Sequence, residues 1–304
     1  METPALTGGL PSTICRWVEE AVGSGARLLS VREMPPWSVE MHEVIVEDGG
    51  GDEHRLVLRR YSDRQHLGID PFYDPANESR ALRLLEGTDV PTPRWYAADL
   101  VPAVCDVPAV LSSWVPGEPA WTPHDVDGYL GSAAEILVRI HVLTSTRPAG
   151  LPDYVPYAVG DGVDRRPPTW TSQPVLWERV LDVLAAGPPG TPTCFIHRDY
   201  HQGNTLTQDD RVSAVIDWPT AAWGPPGIDL ARMRINLVEE VDPASAERFL
   251  AAYRAAGGDP ADRHPYWDLL DAADFLNDNS YRNDLEGHDR ARFEGWVAGV
   301  LAEL

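Results

Sequence analysis

Four residues in one short stretch are of types and at spacings that could do chemistry. His197, Asp199, Asn204 and Asp217 stand in the order His-x-Asp-x4-Asn, followed by an apolar run that ends in Asp. That order suits phosphoryl transfer from a nucleotide: one carboxylate holds the attacking hydroxyl, while an amide and a second carboxylate hold Mg2+ against the phosphates. Oxygen ligands from Asn and Asp suit Mg2+, which keeps waters and completes its shell with phosphate. The bland alternative is a set of polar residues at the ends of two strands. Four such residues in this order, flanked by two apolar segments, argue against it.

The elements that must position these groups are legible around them. Cys194-Phe195-Ile196 reads as a short strand, 199–204 as the loop after it, and 212–216 as a second strand that delivers Asp217 at its end. Gln208-Asp209-Asp210 is a turn-type cluster, so the spacing predicts a hairpin that folds Asn204 back toward Asp217.

In these residues the chain resembles the aminoglycoside phosphotransferase family, small-molecule kinases with a protein-kinase-like fold. The family's His-Gly-Asp-(Leu)-His-x-Gly-Asn stands here as His197-Arg198-Asp199-Tyr200-His201-Gln202-Gly203-Asn204, and its Ile-Asp-Trp as Ile216-Asp217-Trp218. Gly224-Pro225-Pro226-Gly227-Ile228-Asp229-Leu230-Ala231 resembles the family's Gly-(Asp)-Pro-x-x-Asp-Leu-Ala, and a weaker likeness runs from about Arg55 to about Asp274. The resemblance implies that Asp199 is the catalytic carboxylate and that Asn204 and Asp217 are Mg2+ ligands. It makes His197 a buttress of the loop and Asp229 an acceptor of backbone N–H bonds from it. It further implies ATP or GTP as phosphoryl donor and a two-lobed α+β fold. An N-terminal antiparallel sheet plus helix (1–112) would bind the nucleotide. A hinge (113–118) would lead to a mainly helical C-terminal lobe (119–304) for catalysis and substrate binding.

Composition narrows the partners. A chain of 304 residues with 43% hydrophobic content can build one large or two modest cores. There is no run of 18 apolar residues, and Met1-Glu2-Thr3-Pro4 lacks the basic start of a signal peptide, so the expectation is a cytoplasmic protein without membrane contact. The three cysteines are widely spaced and suggest neither a disulfide framework nor a metal site. A formal charge of −22 disfavours nucleic acid and favours a small cationic acceptor, although acidity also serves solubility. All 25 basic residues other than His are Arg. The lysine that usually holds phosphates in kinases therefore cannot exist here, and another group must do its work.

The N-terminal part reads as a helix over 11–22 with Ser12 as N-cap, strands over 27–31, 39–46 and 55–58, and a turn at Gly49-Gly50-Gly51-Asp52. On the last strand Val57 and Arg59 share one face, and Leu56, Leu58 and Arg60 the other. The resemblance favours Arg59 as the phosphate-facing cation; Arg can pair phosphate through two parallel N–H bonds. The alternative makes Arg59 and Arg60 ordinary strand-end charges. Residues 77–86 form a helix opened by Glu78, which by resemblance pairs with Arg59, Glu86 being its rival at the far end. Glu78 also suits the positive end of the helix dipole. Where protein kinases cover the nucleotide with a Gly-rich turn, this chain has Met34-Pro35-Pro36-Trp37-Ser38. Ser38 could donate to a phosphate there, or the loop is purely structural.

By resemblance, 108–118 is the hinge, with backbone groups near Ser113 and Val115 bonding the purine. His141, at the end of a helix over 129–141, reads as a packed core histidine. The segment 154–170 is either an insertion at the substrate mouth or a long loop. Asp271, Asp274 and Asp278 follow i, i+3, i+7 and so share one helical face. Such a face could bind ammonium groups, or simply be solvated. The reading that results is transfer of a γ-phosphate to a hydroxyl of a small cationic molecule by a monomer or dimer. Inactivation of an antibiotic (an aminoglycoside, macrolide or basic peptide) comes first. A metabolic kinase of choline, an amino alcohol or a sugar is the alternative within the same chemistry. The missing lysine and missing Gly-rich turn motivate a third reading, a nucleotide-binding pseudokinase regulator.

Overall fold

The computed structural model describes residues 9–35, 39–63, 74–156, 166–167, 171–277 and 289–304, with the backbone alone at 275–277. Ser38, Asp278 and most of 154–170 therefore lie outside the described residues. The chain divides into two compact units, Met1–Pro116 with Ala214–Thr220, and Gly117–Ser213 with Ala221–Leu304.

The first unit is an antiparallel sheet with two helices. Its elements are α1 (Ser12–Val22), β1 (Arg27–Glu33), β2 (Glu40–Glu47), β3 (Glu53–Arg60), α2 (Pro75–Leu85), β4 (Trp95–Asp99) and β5 (Ala109–Ser113), with strand order β1-β2-β3-β5-β4. Strand alternation decides the two faces. Leu56 and Leu58 of β3 are buried with Val44 and Val46 of β2 and with Ile14 and Val18 of α1. Arg59, of opposite parity, faces the other way. The helix α1 starts one residue earlier than Ser12 suggests. Pro11 is its N-cap, and the Pro11 carbonyl accepts from the N–H groups of Ile14 and Cys15 at 3.0 and 3.1 Å. The Ser12 hydroxyl makes no cap bond because Ser12 already sits inside the first turn.

The second unit is mainly helical. It holds β6 (Glu118–Pro119), α3 (Val126–His141), α4 (Pro174–Ala185), β7 (Cys194–Ile196), β8 (Thr205–Gln208), β9 (Arg211–Val215), β10 (Ala222–Gly224), α5 (Gly227–Glu240), α6 (Pro243–Ala255), α7 (Pro265–Asn277) and α8 (Arg290–Leu301). The last two residues of β9 cluster with the first unit. The hairpin β8–β9 turns at Asp209 and Asp210, whose φ values are 50° and 55°. Positive φ at both central positions is the geometry a two-residue hairpin turn requires, and Asp tolerates it. The long helix α5 packs against α6 and α7. It is buried along nearly its whole length, so its charged residues must find partners inside the protein. No helix among the described residues is long and apolar enough to cross a membrane.

Candidate functional site

Each unit carries one cluster of candidate residues. In the first, Arg59 Nη1 lies 3.0 Å from Glu78 Oε1 and 2.8 Å from Asp217 Oδ1. Glu78 opens α2 and is buried; its Oε2 accepts a hydrogen bond of 2.5 Å from the Tyr61 hydroxyl, itself fully buried. Burial opposes the charge on Arg59, yet Glu78 and Asp217 raise its pKa above the ordinary value. Burial pushes the Glu78 carboxyl up, and nearby Asp217 adds to this, against the pull of Arg59 and Tyr61. The Arg59 charge is thus held on a strand by a buried partner, while the Asp217 carboxylate is 39% exposed. Glu86, at the other end of α2, is its C-cap and is exposed.

Asp217 is delivered by a short return of the chain to this unit. Val215 N–H donates to the Pro91 carbonyl at 2.9 Å and the Thr92 hydroxyl to the Val215 carbonyl at 3.2 Å. The Asn77 amide donates to the Pro219 carbonyl at 2.7 Å. Between these anchors Asp217 adopts φ 67°, a left-handed conformation uncommon for a residue with a Cβ. Such a conformation persists only where the surroundings over-determine it, and it turns the carboxylate toward Arg59. Motif reading found Asp217 but not Asn77 or Tyr61, whose types carry no signal by themselves.

At the end of β5 the Ser113 N–H already donates to the Arg94 carbonyl at 2.8 Å, and the Ser113 hydroxyl accepts from Arg94 N–H at 2.9 Å. Val115 is half-buried, and its N–H has no backbone partner among the described residues. Of the two residues expected to bond a purine, Val115 is the one with a donor to spare.

In the second unit the catalytic-type loop follows β7, which pairs with β10. Asp229, in the first turn of α5 and fully buried, accepts from His197 N–H at 2.9 Å and Arg198 N–H at 2.6 Å. Its Oδ2 also lies 3.1 Å from His141 Nε2, and His141 Nδ1 lies 2.8 Å from the Tyr253 hydroxyl, so His141 is a packed residue behind the loop. His197 is fully buried and accepts from Asp199 N–H through Nδ1 at 3.2 Å. Arg198 stands where the family has Gly and keeps the conformation Gly would favour, φ 74°. Its guanidinium is buried against the Val155 carbonyl and 5.3 Å from the centre of the Tyr154 ring. The same helix start needs Gly227: a Cβ there would lie 2.4 Å from Trp267 and 2.8 Å from the Asp262 carbonyl.

Asp199 emerges from this frame 26% exposed. The Asn204 Nδ2 donates to the Asp199 carbonyl at 2.9 Å and to its carboxylate at 3.1 Å. That bond orients the Asn204 amide and leaves Oδ1 as the atom able to bind a cation. Gly203 N–H donates to His201 Nδ1 at 3.0 Å, and His201 Nε2 lies 3.5 Å from Asp199 Oδ2 and 3.2 Å from Asn204 Nδ2. Gly203 has no room for a side chain, because a Cβ would lie 2.7 Å from both His201 and Trp121. Burial would raise the Asp199 pKa, but His201, Arg232 and His197 together hold it well below the usual carboxylate range.

Arg232, one turn beyond Asp229 on α5, was not foreseen. Its Nε lies 3.5 Å from Asp199 Oδ1 and its Nη2 lies 2.9 Å from Asp271 Oδ1. Of the expected acidic face of α7, Asp271 and Asp274 are each only 4% exposed, so it is not a solvated face, and Asp271 meets Arg232 of α5. Among the described residues no three His, Cys, Asp or Glu side chains converge to hold a metal. Mg2+ shared with phosphates does not require such a set.

Comparison with known proteins follows the same lines. A model of the phosphotransferase enzyme family matches residues 37–266. No curated protein matches the chain. Among solved structures, macrolide 2'-phosphotransferase MphH from Brachybacterium faecium is 23% identical with a TM-score of 0.60, over 94% of this chain and 97% of that one. A thermostable mutant of aminoglycoside phosphotransferase APH(4)-Ia, in ternary complex with AMP-PNP and hygromycin B, is 17% identical with a TM-score of 0.60, over 96% and 98%. A choline/ethanolamine kinase family protein from Mesorhizobium loti is 18% identical with a TM-score of 0.57, over 98% and 92%. At these identities the likeness is one of fold.

Proposed function

Because the chain belongs to the phosphotransferase enzyme family, we propose that it transfers the γ-phosphate of ATP or GTP to a hydroxyl of a small cationic molecule, and that the acceptor is an antibiotic. The observation that carries this reading is Asp199. It is a partly exposed carboxylate kept ionised by His201 and Arg232, on a loop whose backbone is bolted to Asp229. A carboxylate so held can accept a hydrogen bond from the acceptor hydroxyl and fix its direction of attack. The hydroxyl oxygen forms its bond to the γ-phosphorus as the bond to the β–γ bridging oxygen breaks. The nucleoside diphosphate leaves, and the hydroxyl proton passes late to Asp199.

Arg59 supplies the fixed positive charge that lysine gives other kinases, and Glu78 with Tyr61 keeps it in place. Val115 offers its N–H to the purine. The oriented Asn204 Oδ1 and the exposed Asp217 carboxylate are of the chemistry that Mg2+ takes. When bound, Mg2+ neutralises charge on the phosphates. The net charge of −22 supports a cationic acceptor, since it raises the local concentration of cations. The neighbouring folds support a small hydroxylated acceptor; two of them are named for a macrolide phosphotransferase and for an aminoglycoside phosphotransferase bound to hygromycin B.

A metabolic kinase for an amino alcohol is the second reading, favoured by the likeness to the choline/ethanolamine kinase family protein. One experiment separates the two. The protein is incubated with Mg2+, ATP and GTP against aminoglycosides, macrolides, basic peptide antibiotics and amino alcohols, and products are weighed by mass spectrometry with Asp199→Ala as control. A phosphorylated antibiotic lost in the control supports the first reading. A phosphorylated amino alcohol replaces it with the second, and product formed equally by the control removes Asp199 from the chemistry.

A further inference from the structure

Two ion pairs join α5 to α7, and they are built unequally. Arg234 is fully buried and lies 2.5 Å from Asp268 Oδ1, while Arg263 contacts Asp268 Oδ2 at 3.0 Å. Both oxygens of Asp268 are therefore taken, as a buried carboxylate in a purely structural role requires. Three residues further along α7, Asp271 is equally buried but meets one cation among the described residues. Its Oδ1 meets Arg232 at 2.9 Å, and its Oδ2 is buried without a hydrogen-bond partner among the described residues. Leaving a buried carboxylate half satisfied is costly, and native proteins keep such groups where they act.

What Arg232 does with its other side gives the reason. Its Nε lies 3.5 Å from Asp199 Oδ1, a distance too long for a hydrogen bond and short enough for attraction. At these distances Asp199 and Asp271 both pull on the same guanidinium. While Asp271 is ionised it draws Arg232 back, and Asp199 keeps lone pairs for an acceptor. When Asp271 takes a proton its pull on Arg232 is lost, and the 3.5 Å contact with Asp199 can close into an ion pair that occupies its oxygen.

We propose that Arg232 is a positioning residue for Asp199 and that Asp271 sets its position, so that turnover depends on the ionisation of a carboxylate that never touches substrate. This rests on the reading of Asp199 as the carboxylate that meets the acceptor. Burial pushes Asp271 up to about 7, Arg232 pulls it down, and Asp274, Asp199 and Asp268 add to the rise. Tyr154 also faces this group. The sign follows: turnover rises with pH as Asp271 ionises near neutrality.

The probe is Mg2+–ATP with water as acceptor, read as ADP release between pH 5.5 and 8.5. Wild type is expected to show a rising step near pH 7. Asp271→Asn keeps the shape without the charge; it is expected to lack that step, to match wild type at pH 5.5 and to fall about 10-fold below it at pH 8.5. Asp271→Glu should restore a step, and nucleotide affinity should stay within about 2-fold in both. Arg232→Gln should abolish the step and Arg232→Lys should retain part of it. An Asp271→Asn profile that coincides with wild type, or a wild-type profile without the step, overturns the proposal. If Asp199→Ala releases ADP as fast as wild type, the reading of Asp199 fails first, and the two failures are thus distinguished. Should Asp271→Asn not fold, the wild-type step and the Asp271→Glu profile decide alone.

Discussion

Arg59 and Arg232 stand in the same kind of place, each a guanidinium with a side chain 12% exposed between two carboxylates. They are held differently. Arg59 meets both partners at 3.0 and 2.8 Å, and the buried partner, Glu78, is completed by Tyr61. Arg232 meets one partner at 2.9 Å and the other at 3.5 Å, and its buried partner keeps a bare oxygen. A cation beside a buried and a more exposed carboxylate is thus held at two short contacts in one unit and at one short and one long contact in the other. What separates them is how fully the buried carboxylate is hydrogen-bonded, because an unsatisfied acceptor in low dielectric leaves free energy that a neighbour can compete for.

The comparison can be broken at several points. The largest effect is expected at Asp199. Asp199→Ala should lower phosphoryl transfer by roughly 10^3-fold while leaving nucleotide affinity and the circular dichroism spectrum as they are. Turnover near the wild-type level would take the second cluster out of the chemistry. Arg59→Ala comes next, since it strands Glu78 inside the first unit. Urea denaturation should show a loss of about 3 kcal/mol, the cost of removing one member of a buried pair. A loss below about 1 kcal/mol would place the pair with screened surface pairs and remove that contrast.

Asp217→Ala removes only the exposed partner of Arg59. Mg2+–nucleotide affinity should fall by about 2 kcal/mol with little change in stability, as titration calorimetry would measure. Unchanged affinity would leave Asp217 as a counter-ion alone. The smallest expected effect sharpens the comparison from the other side. The Asp271 pKa is raised in the folded protein to about 7 from an ordinary value of 3.8, so the folded state binds the proton more tightly than the unfolded chain. Its contribution is present in full below pH 4 and lost as pH rises toward 7. Asp271→Asn lacks that loss, so its stability relative to wild type should grow between pH 4 and pH 8. A difference that stays flat with pH would mean that Asp271 is as well satisfied as Asp268.

Much of the second cluster's frame was legible because its parts are close in sequence. His197, Asp199 and Asn204 lie on one loop, and the Gly224–Asp229 run announces the helix start that bolts it. The turn at Asp209 and Asp210 was legible because few residue types accept positive φ. The pair Arg59–Glu78 followed from resemblance. Arg232 is not legible because an arginine on a helix has no signature, and the burial of Asp271 is not legible because helical spacing shows which residues share a face and not what covers it. Ser12 suits a cap as a hydroxyl residue before an apolar run, but the N-cap is Pro11, one residue earlier.

By itself the sequence determined the enzyme family, the course of the loop from His197 to Asn204 and the strand that presents Arg59. These depend on residue types a few positions apart, where chain geometry leaves few choices. It also determined that the phosphate-holding group could not be lysine. Only the tertiary structure decided that residues 214–220 return to the first unit and set Asp217 against Arg59, and that α7 carries Asp271 inward to Arg232. Both meetings join segments far apart in the chain. They are fixed by the packing of whole helices and by anchors such as Asn77 on the Pro219 carbonyl, which no local pattern encodes.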